Sequence, residues 1–101
     1  MTASDTAREL AVAAAKAADE KLGRDIAVID VTDVMAITDI FVVISADSER
    51  QVAAVVEEVE DALTKMGAEP KRREGNREFR WVLLDYGMLV VHVQRDAAVS
   101  Y

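Results

Sequence analysis

Apolar residues recur every three or four positions over residues 1–22, which is the spacing of one face of an amphipathic helix. Ser4 or Asp5 can cap the start of this helix, and Gly23 can end it. Most of the face is alanine, so the helix should sit close to the layer it covers. The face consists of Ala7, Leu10, Ala11, Ala14, Ala17 or Ala18, and Leu22.

A second helical pattern begins after Ser48. Ser48 and Gln51 have the spacing of a capping box, in which the hydroxyl accepts the third amide and the glutamine side chain reaches back. Gly67 is predicted to terminate the helix, and the four acidic residues between positions 57 and 61 form a solvated side. The apolar stripe consists of Val52, Val55, Val56, Val59, Leu63 and Met66.

The remaining apolar segments have the composition of strands. Residues 26–31 are rich in β-branched side chains, while residues 40–46 and the hairpin at 81–93 are apolar on both faces. Residues 70–80 form a basic connector that can hold a short edge strand. The order α-β-β-α-β-β predicts an α+β domain with a mixed sheet and with its helices mainly on one face.

The hairpin turn at Asp85-Tyr86-Gly87 leaves the strand register open. A two-residue turn at Tyr86-Gly87 would require a positive φ at Tyr86, which is unfavourable for a bulky side chain. A three-residue turn with a left-handed Gly87 avoids this. The alternatives place Trp81 beside His92 or beside Val91.

Two helices can cover one face of a four- or five-stranded sheet, which leaves its second face or a long hairpin edge bare. Exposed apolar patches of that size usually mark protein contacts, and bare edge strands invite pairing by another chain. We therefore expect a partner, which could be a second copy, another protein or a missing C-terminal segment.

Composition narrows the class of protein. A chain of 101 residues fits one domain, spanning residues 1–101, and the absence of cysteine excludes a disulfide framework or a thiolate metal site. No signal peptide and no apolar run of about 20 residues is present. We expect a cytoplasmic protein with no membrane contact.

The net charge of −7 is distributed unevenly. Residues 71–80 hold five Lys/Arg and two Glu, for a net charge of +3, and the rest of the chain is acidic. An acidic body argues against broad nucleic-acid binding and favours basic protein partners. The basic segment is either a solvated loop or a site of docking or minor ribosomal RNA contact.

Catalytic chemistry is sparse. His92 is the only histidine and lies within a strand, and the glycines do not form a phosphate-binding loop. Asp30, Asp33 and Asp39 could hold magnesium for nucleotidyl transfer only if they converged, and capping or turn roles are favoured. Asp85 could either bond turn amides or contact a partner. We expect no cofactor and no metal.

Three segments of the sequence form a recognisable pattern when taken together: TDIFVVISADSERQV (38–52), REG (73–75) and WVLLDYGMLVVHV (81–93). In order and spacing they resemble the ribosomal silencing factor family, also called Iojap-like proteins, over about residues 25–95. The resemblance implies a fold related to nucleotidyltransferases without their catalytic motifs. It implies a non-enzymatic translation repressor, commonly dimeric, that binds the large ribosomal subunit through its fourteenth protein and sterically blocks subunit joining.

The resemblance also implies a partner-binding set. In it, Trp81 and Tyr86 would act as amphipathic anchors, and Asp85 and Glu74 would pair with basic groups of the partner. The set consists of Trp81, Leu83, Asp85, Tyr86, Val90 and His92, with Arg80 and Glu74 on the rim.

Three departures from the family pattern are visible. Ala46 stands where glycine is usual, and Met88 stands where an acidic residue is usual. The aromatic- and leucine-rich helical tail of the family is missing after RDAAVSY, so the C-terminal tail looks truncated. The alternatives are a small nucleotidyltransferase-type enzyme and a homodimerising scaffold without ribosome binding.

Overall fold

The structure, a computed structural model, describes residues 3–75 and 78–96. Two helices and five strands follow one another along these residues in the order α-β-β-α-β-β-β. Their bounds are α1 Asp5–Glu20, β1 Arg24–Asp30, β2 Ile40–Ala46, α2 Glu49–Lys65, β3 Arg72–Gly75, β4 Trp81–Asp85 and β5 Leu89–Arg95. The predicted edge strand within the basic connector is β3.

The five strands form one mixed sheet in the order β1-β2-β5-β4-β3. The central pair, β2 and β5, is parallel, and the other three pairs are antiparallel. The two helices contact each other, and both contact β2 and β5, so they cover the same face. The predicted α+β class and mixed sheet are confirmed. In the described part of the chain, neither helix is long and apolar enough to cross a membrane.

Helix α1 begins at a cluster of side-chain caps. Ser4 Oγ accepts the Ala7 amide at 3.1 Å. Asp30 accepts the Ala3 amide at 3.2 Å, and Asp39 accepts the Ser4 amide at 3.1 Å. These carboxylates also lie at the positive end of the helix dipole, which favours negative charge. Strands β1 and β2 are thereby fastened to the start of α1.

The end of α1 differs from the prediction. The left-handed residue is Leu22, at φ 63°, and not Gly23. Gly23 is required instead for close packing, because a Cβ there would lie 2.9 Å from both the Ala18 carbonyl oxygen and Ile44 Cγ2. The shallow alanine face allows this approach of the helix end to β2.

Helix α2 has the predicted cap but only half of the predicted capping box. Ser48 Oγ accepts the Gln51 amide at 3.2 Å. The Gln51 side chain donates to the Lys21 carbonyl instead of reaching back to Ser48. At the other end, Gly67 has φ 85°, and the Ala68 amide bonds the Leu63 carbonyl at 2.9 Å. That pattern is a Schellman cap, so Gly67 terminates the helix as predicted.

The core lies between the helices and the sheet. Alternate residues of the three central strands point into it, and the predicted α2 stripe packs on them. Met66 is the exception, because it follows the helix and is 46% exposed. The fully enclosed large side chains are Ile44, Leu63, Leu84, Leu89, Val42, Val52, Val55, Val56, Val59, Val91 and Val93. Burial at this level stabilises each such side chain by about 1.5–3 kcal/mol relative to exposure.

The hairpin register is neither of the two alternatives left open by the sequence, although Gly87 is left-handed as one of them required. The Tyr86 amide bonds the Leu89 carbonyl at 2.8 Å, so the two central turn residues are Gly87 and Met88. Gly87 has φ 88°, which a two-residue turn of this kind demands at its first central position. Trp81 is consequently paired with Gln94, and Leu83 is paired with His92.

Candidate partner-binding face

The face of the sheet that carries no helix gathers most of the predicted partner-binding residues. Cross-strand partners share a face, so the register assigns each side chain to one side of the sheet. Trp81, Leu83 and Asp85 of β4 lie here, beside Gln94, His92 and Val90 of β5. Arg72 and Glu74 of β3, Phe41 and Val43 of β2, and Ala27 and Ile29 of β1 complete the helix-free face.

An aromatic stack occupies the middle of this face. The rings of Trp81 and His92 are nearly parallel, with centroids 6.1 Å apart and an interplanar angle of 14°. The residues are diagonal neighbours in the β4–β5 register, which brings long side chains within reach. A ring nitrogen of His92 lies 3.1 Å from the Gln94 side-chain oxygen. His92 therefore holds the indole flat against the sheet.

Charged groups border the stack on the β3 side. Asp85 accepts the Gly87 amide at 2.8 Å and lies 3.5 Å from the Arg72 guanidinium. Arg72 also lies 3.3 Å from Glu74. Asp85 thus performs the turn role proposed from sequence while its carboxylate remains on the helix-free face. The rim carries a mixed row of charges, acidic at Asp85 and Glu74.

Burial varies across the face. Trp81 is 38% exposed and Ile29 is 46% exposed, whereas Val90 is only 6% exposed although it lies on this side. Leu83, Phe41 and Val43 are half-buried. Val90 is therefore covered by its neighbours and offers little surface to a partner. The accessible apolar area around Trp81 comes from Leu83, Phe41 and Val43.

The basic segment 71–80 is mostly neutralised by nearby carboxylates. Arg73 lies 2.9 Å from Glu60 of α2, and Arg80 lies 3.3 Å from Glu78. Arg80 precedes Trp81, and its carbonyl accepts the Arg95 amide at 2.7 Å. The Lys71 ammonium group makes no ion pair within the described residues.

Tyr86 does not belong to this face, which corrects its place in the predicted set. It follows Asp85 by one residue and therefore points to the opposite side, where it is 6% exposed. Burial raises the pKa of its phenol to about 12, with further contributions from the carboxylates of Glu60 and Glu69. Its hydroxyl oxygen has no hydrogen-bond partner among residues 3–75 and 78–96. Tyr86 is a core residue beneath α2.

Two of the three candidate metal carboxylates, Asp30 and Asp39, have structural roles. Asp30 accepts the Thr32 hydroxyl at 2.6 Å and its amide at 2.9 Å, which lowers the pKa of the Asp30 carboxyl. Its other oxygen and a carboxylate oxygen of Asp39 cap the start of α1. Over residues 3–75 and 78–96, no group of three or more potential ligands is placed to hold a metal ion.

Sequence reasoning missed the contribution of β2 to the helix-free face. Phe41 and Val43 lie beside Val90 and His92 because β2 and β5 pair in parallel. The doubly apolar pattern of residues 40–46 signalled a central strand, but it contained no indication of which strand would be its neighbour. Ile29 was missed for the same reason.

The comparison that decides the family is a match of this chain, over residues 4–99, to the family described as "Ribosomal silencing factor during starvation". The chain belongs to the ribosomal silencing factor family. Curated members agree with this assignment. The ribosomal silencing factor of Bacillus subtilis is 38% identical over 88 residues, covering 87% of this chain and 75% of that protein. The Halalkalibacterium halodurans protein is 36% identical, with coverages of 93% and 81%.

Solved structures give the same result for the fold. A crystal structure of a Chromobacterium violaceum protein superposes with a TM-score of 0.86 at 32% identity, covering 94% of this chain and 79% of that one. A Bacillus halodurans crystal structure gives a TM-score of 0.82 at 33% identity, with coverages of 93% and 88%. The family name describes a regulatory role, and it indicates no catalytic activity.

Proposed function

We propose that this protein represses translation by binding the large ribosomal subunit through its fourteenth protein, so that it sterically blocks subunit joining. The observation that carries the proposal is the combination of family membership with a half-apolar sheet face that no helix covers. A regulator of this kind needs no catalytic site. It needs a surface that holds a partner and a body large enough to obstruct the opposing subunit.

The chemistry of the helix-free face suits a protein partner. Trp81 offers a large amphipathic ring that His92 holds in place, and ordered aromatics of this type carry much of the energy of many interfaces. Asp85 and Glu74 can pair with basic groups at the rim, and the net charge of −7 favours encounter with a basic protein. Leu83 and Phe41 supply flat apolar area around the ring.

Two minor contacts belong to the same proposal. Residues 71–80, which carry a net charge of +3, would make a minor contact with ribosomal RNA. A homodimer would form at β1, because this seven-residue edge strand is exposed along most of its length. The opposite edge, β3, is four residues long and mostly charged, which discourages strand addition.

A rival function as a nucleotidyltransferase-type enzyme is disfavoured by the tasks of the aspartates. Asp30 and Asp39 accept the amides of Ala3 and Ser4, immediately before α1, so magnesium binding there would release that helix end. The relationship to the nucleotidyltransferase fold is retained as a proposal about ancestry. Calorimetric titration with millimolar nucleotide and magnesium separates the two functions, and we expect no heat of binding.

The direct experiment is co-sedimentation of the purified protein with purified large subunits, followed by a subunit-joining assay on a sucrose gradient. We expect the unmodified protein to pellet with large subunits and to reduce the joined fraction. Trp81→Ala should weaken binding by about 2 kcal/mol, as loss of an interface aromatic commonly does. Val12→Ala, which shortens an exposed side chain on α1, is the matched control. Equal pelleting of the Trp81→Ala variant and the unmodified protein would remove the helix-free face from the proposal.

A further inference from the structure

The loop that joins β1 to β2, residues 31–39, is firmly attached to the turn between β4 and β5. The Val31 carbonyl accepts the amides of Val34 at 3.0 Å and Met35 at 2.9 Å, which makes one helical turn. The Thr38 hydroxyl donates to the Gly87 carbonyl at 3.1 Å, and the Asp39 amide donates to the Met88 carbonyl at 2.8 Å. The loop therefore presents its side chains in fixed positions.

This fixed loop turns apolar side chains outward. Val34 is 79% exposed and Ile37 is 78% exposed, and Met35 and Met88 beside them are also exposed. Single exposed apolar residues are ordinary, but four gathered at one end of a sheet form a patch of the kind that marks a contact site. Residues 34–38 contain no charged side chain, so nothing within the loop repels an apolar partner.

The patch surrounds an open depression of about 520 Å³. Residues 34–38 form one wall, and Lys71, Asp85 and Gly87 form the other. The Lys71 side chain lies over Gly87, within 3.0 Å of where a Cβ would stand. Its ammonium group is not paired within the described residues and can receive an acidic group. Asp85 belongs both to this depression and to the helix-free face, so the two surfaces are continuous.

The size of the helix-free face explains why a partner should reach this patch. Five strands about 4.8 Å apart and some five residues long present a flat area of roughly 350 Å². A stable protein–protein interface buries about 800 Å² on each partner. Even when the projecting side chains are counted, the sheet face supplies only about half of the area that such an interface buries on one partner. A partner centred on Trp81 therefore needs contact area beyond the sheet face, and the ends of the strands can supply it.

The two ends differ in chemistry. At the end beyond Trp81, Arg24 lies 2.6 Å from carboxylate oxygens of both Asp47 and Asp96, and Arg95 lies 2.9 Å from Glu49. These charges are paired and would lose water on burial for little gain. At the end beyond Asp85 lies the apolar loop. Extension in that direction buries apolar area, and the ion pair at its border, between Arg72 and Asp85, is longer at 3.5 Å than those at the other end.

We propose that the partner that covers the helix-free face also contacts residues 34–37 and Met88, inserting an apolar side chain flanked by an acidic group into the depression beside Lys71. This inference rests on the proposed function, since it describes how far the same interface extends. It assigns to the loop a part of the contact that the predicted set, confined to positions 74–92, does not include.

The test uses the full chain and purified large subunits, with dissociation constants taken from fluorescence anisotropy of a labelled protein. The double variant Val34→Ser/Ile37→Ser should weaken binding roughly tenfold or more, since two apolar contacts would be lost. Lys71→Glu should weaken binding separately by placing a negative charge beside the acidic group. Val12→Ser, which changes a 52%-exposed valine on α1, is the control and should bind like the unmodified protein.

The outcomes separate this inference from the proposed function. Thermal unfolding of the double variant should match that of the unmodified protein, because both side chains are already mostly in water. If Trp81→Ala loses binding while the double variant and Lys71→Glu keep full affinity, the loop contact is refuted and the function stands. If the unmodified protein does not bind large subunits, both are refuted. Loss of affinity in Val12→Ser as large as in the double variant also refutes the loop contact.

Discussion

Replacing Tyr86 by phenylalanine should stabilise this protein. The Tyr86 ring is enclosed beneath α2, yet no group in the described part of the chain forms a hydrogen bond with its hydroxyl oxygen. A buried hydroxyl without a partner retains the full cost of leaving water, about 1–3 kcal/mol. Tyr86→Phe removes that group and keeps the ring, so we expect the free energy of unfolding at pH 7 to rise by about 1 kcal/mol.

The same substitution should remove a dependence of stability on alkaline pH. The pKa of Tyr86 is raised from 10.0 to about 12 in the folded protein. The folded state therefore holds the phenol proton more tightly than the unfolded chain does. This contribution to stability is complete below pH 10 and is lost as the pH rises towards 12. Its full size is about 2–3 kcal/mol, since each tenfold change in proton affinity corresponds to about 1.4 kcal/mol.

Urea unfolding followed by circular dichroism, at pH 7 and between pH 9 and 12, measures both effects. The stability difference between Tyr86→Phe and the unmodified protein should widen above pH 10. Tyr101, the only other tyrosine, is common to both proteins and cancels in this comparison. A loss of about 1 kcal/mol at pH 7 in the variant would show that the hydroxyl is bonded, and would refute the reasoning. Large-subunit binding should be unchanged, because Tyr86 lies away from the helix-free face.

Three further substitutions test the local structure by thermal unfolding. Gly23→Ala should destabilise by about 1–3 kcal/mol, because the added Cβ would stand 2.9 Å from the Ala18 carbonyl oxygen; an unchanged melting temperature would mean that the close approach is absent. Ser48→Ala should cost about 1 kcal/mol through loss of the α2 cap, with Ser48→Asp as the control that restores an acceptor. Asp30→Asn should lower stability at neutral pH. The deficit should shrink as the pH falls below the usual carboxyl value of 3.8, because the pKa of Asp30 is lowered first by its bonds to Thr32; a deficit that grows in acid would contradict this.

The helices were the most predictable part of the fold, because their signals are local. Ser48 and Gly67 lie at the ends of α2, and the valines between them form a regular stripe, so the helix could be found from one segment alone. The details that failed involve other segments. Gln51 bonds the Lys21 carbonyl, and Gly23 packs on Ile44, and neither contact can be read from neighbouring residues.

The sheet was less predictable because its central pair is formed by distant strands. Parallel pairing of β2 with β5 joins residues about 50 positions apart, and this pairing brings Phe41 and Val43 next to Val90 and His92. The apolar composition on both faces of β2 indicated a central strand, but it did not indicate that β5 would be the strand paired with it. The exposure of the apolar loop at residues 34–37 could not be predicted from neighbouring residues either, because it depends on bonds to the distant β4–β5 turn.

The one residue that the family resemblance placed on the wrong face shows how strand geometry limits such transfers. Asp85 and Tyr86 are adjacent in the motif, and in an extended backbone adjacent side chains point to opposite sides of the sheet. A flat surface can therefore contain Trp81, Leu83 and Asp85 together, but it cannot also contain Tyr86 unless the chain bends before that residue. The chain bends only afterwards, at Gly87 and Met88, so Tyr86 remains in the strand direction and enters the core. Two adjacent residues of the motif thus have different roles. Partner contact is proposed for Asp85, and core packing is observed for Tyr86. A variant at Tyr86 that weakens large-subunit binding should do so only to the extent that it unfolds the protein.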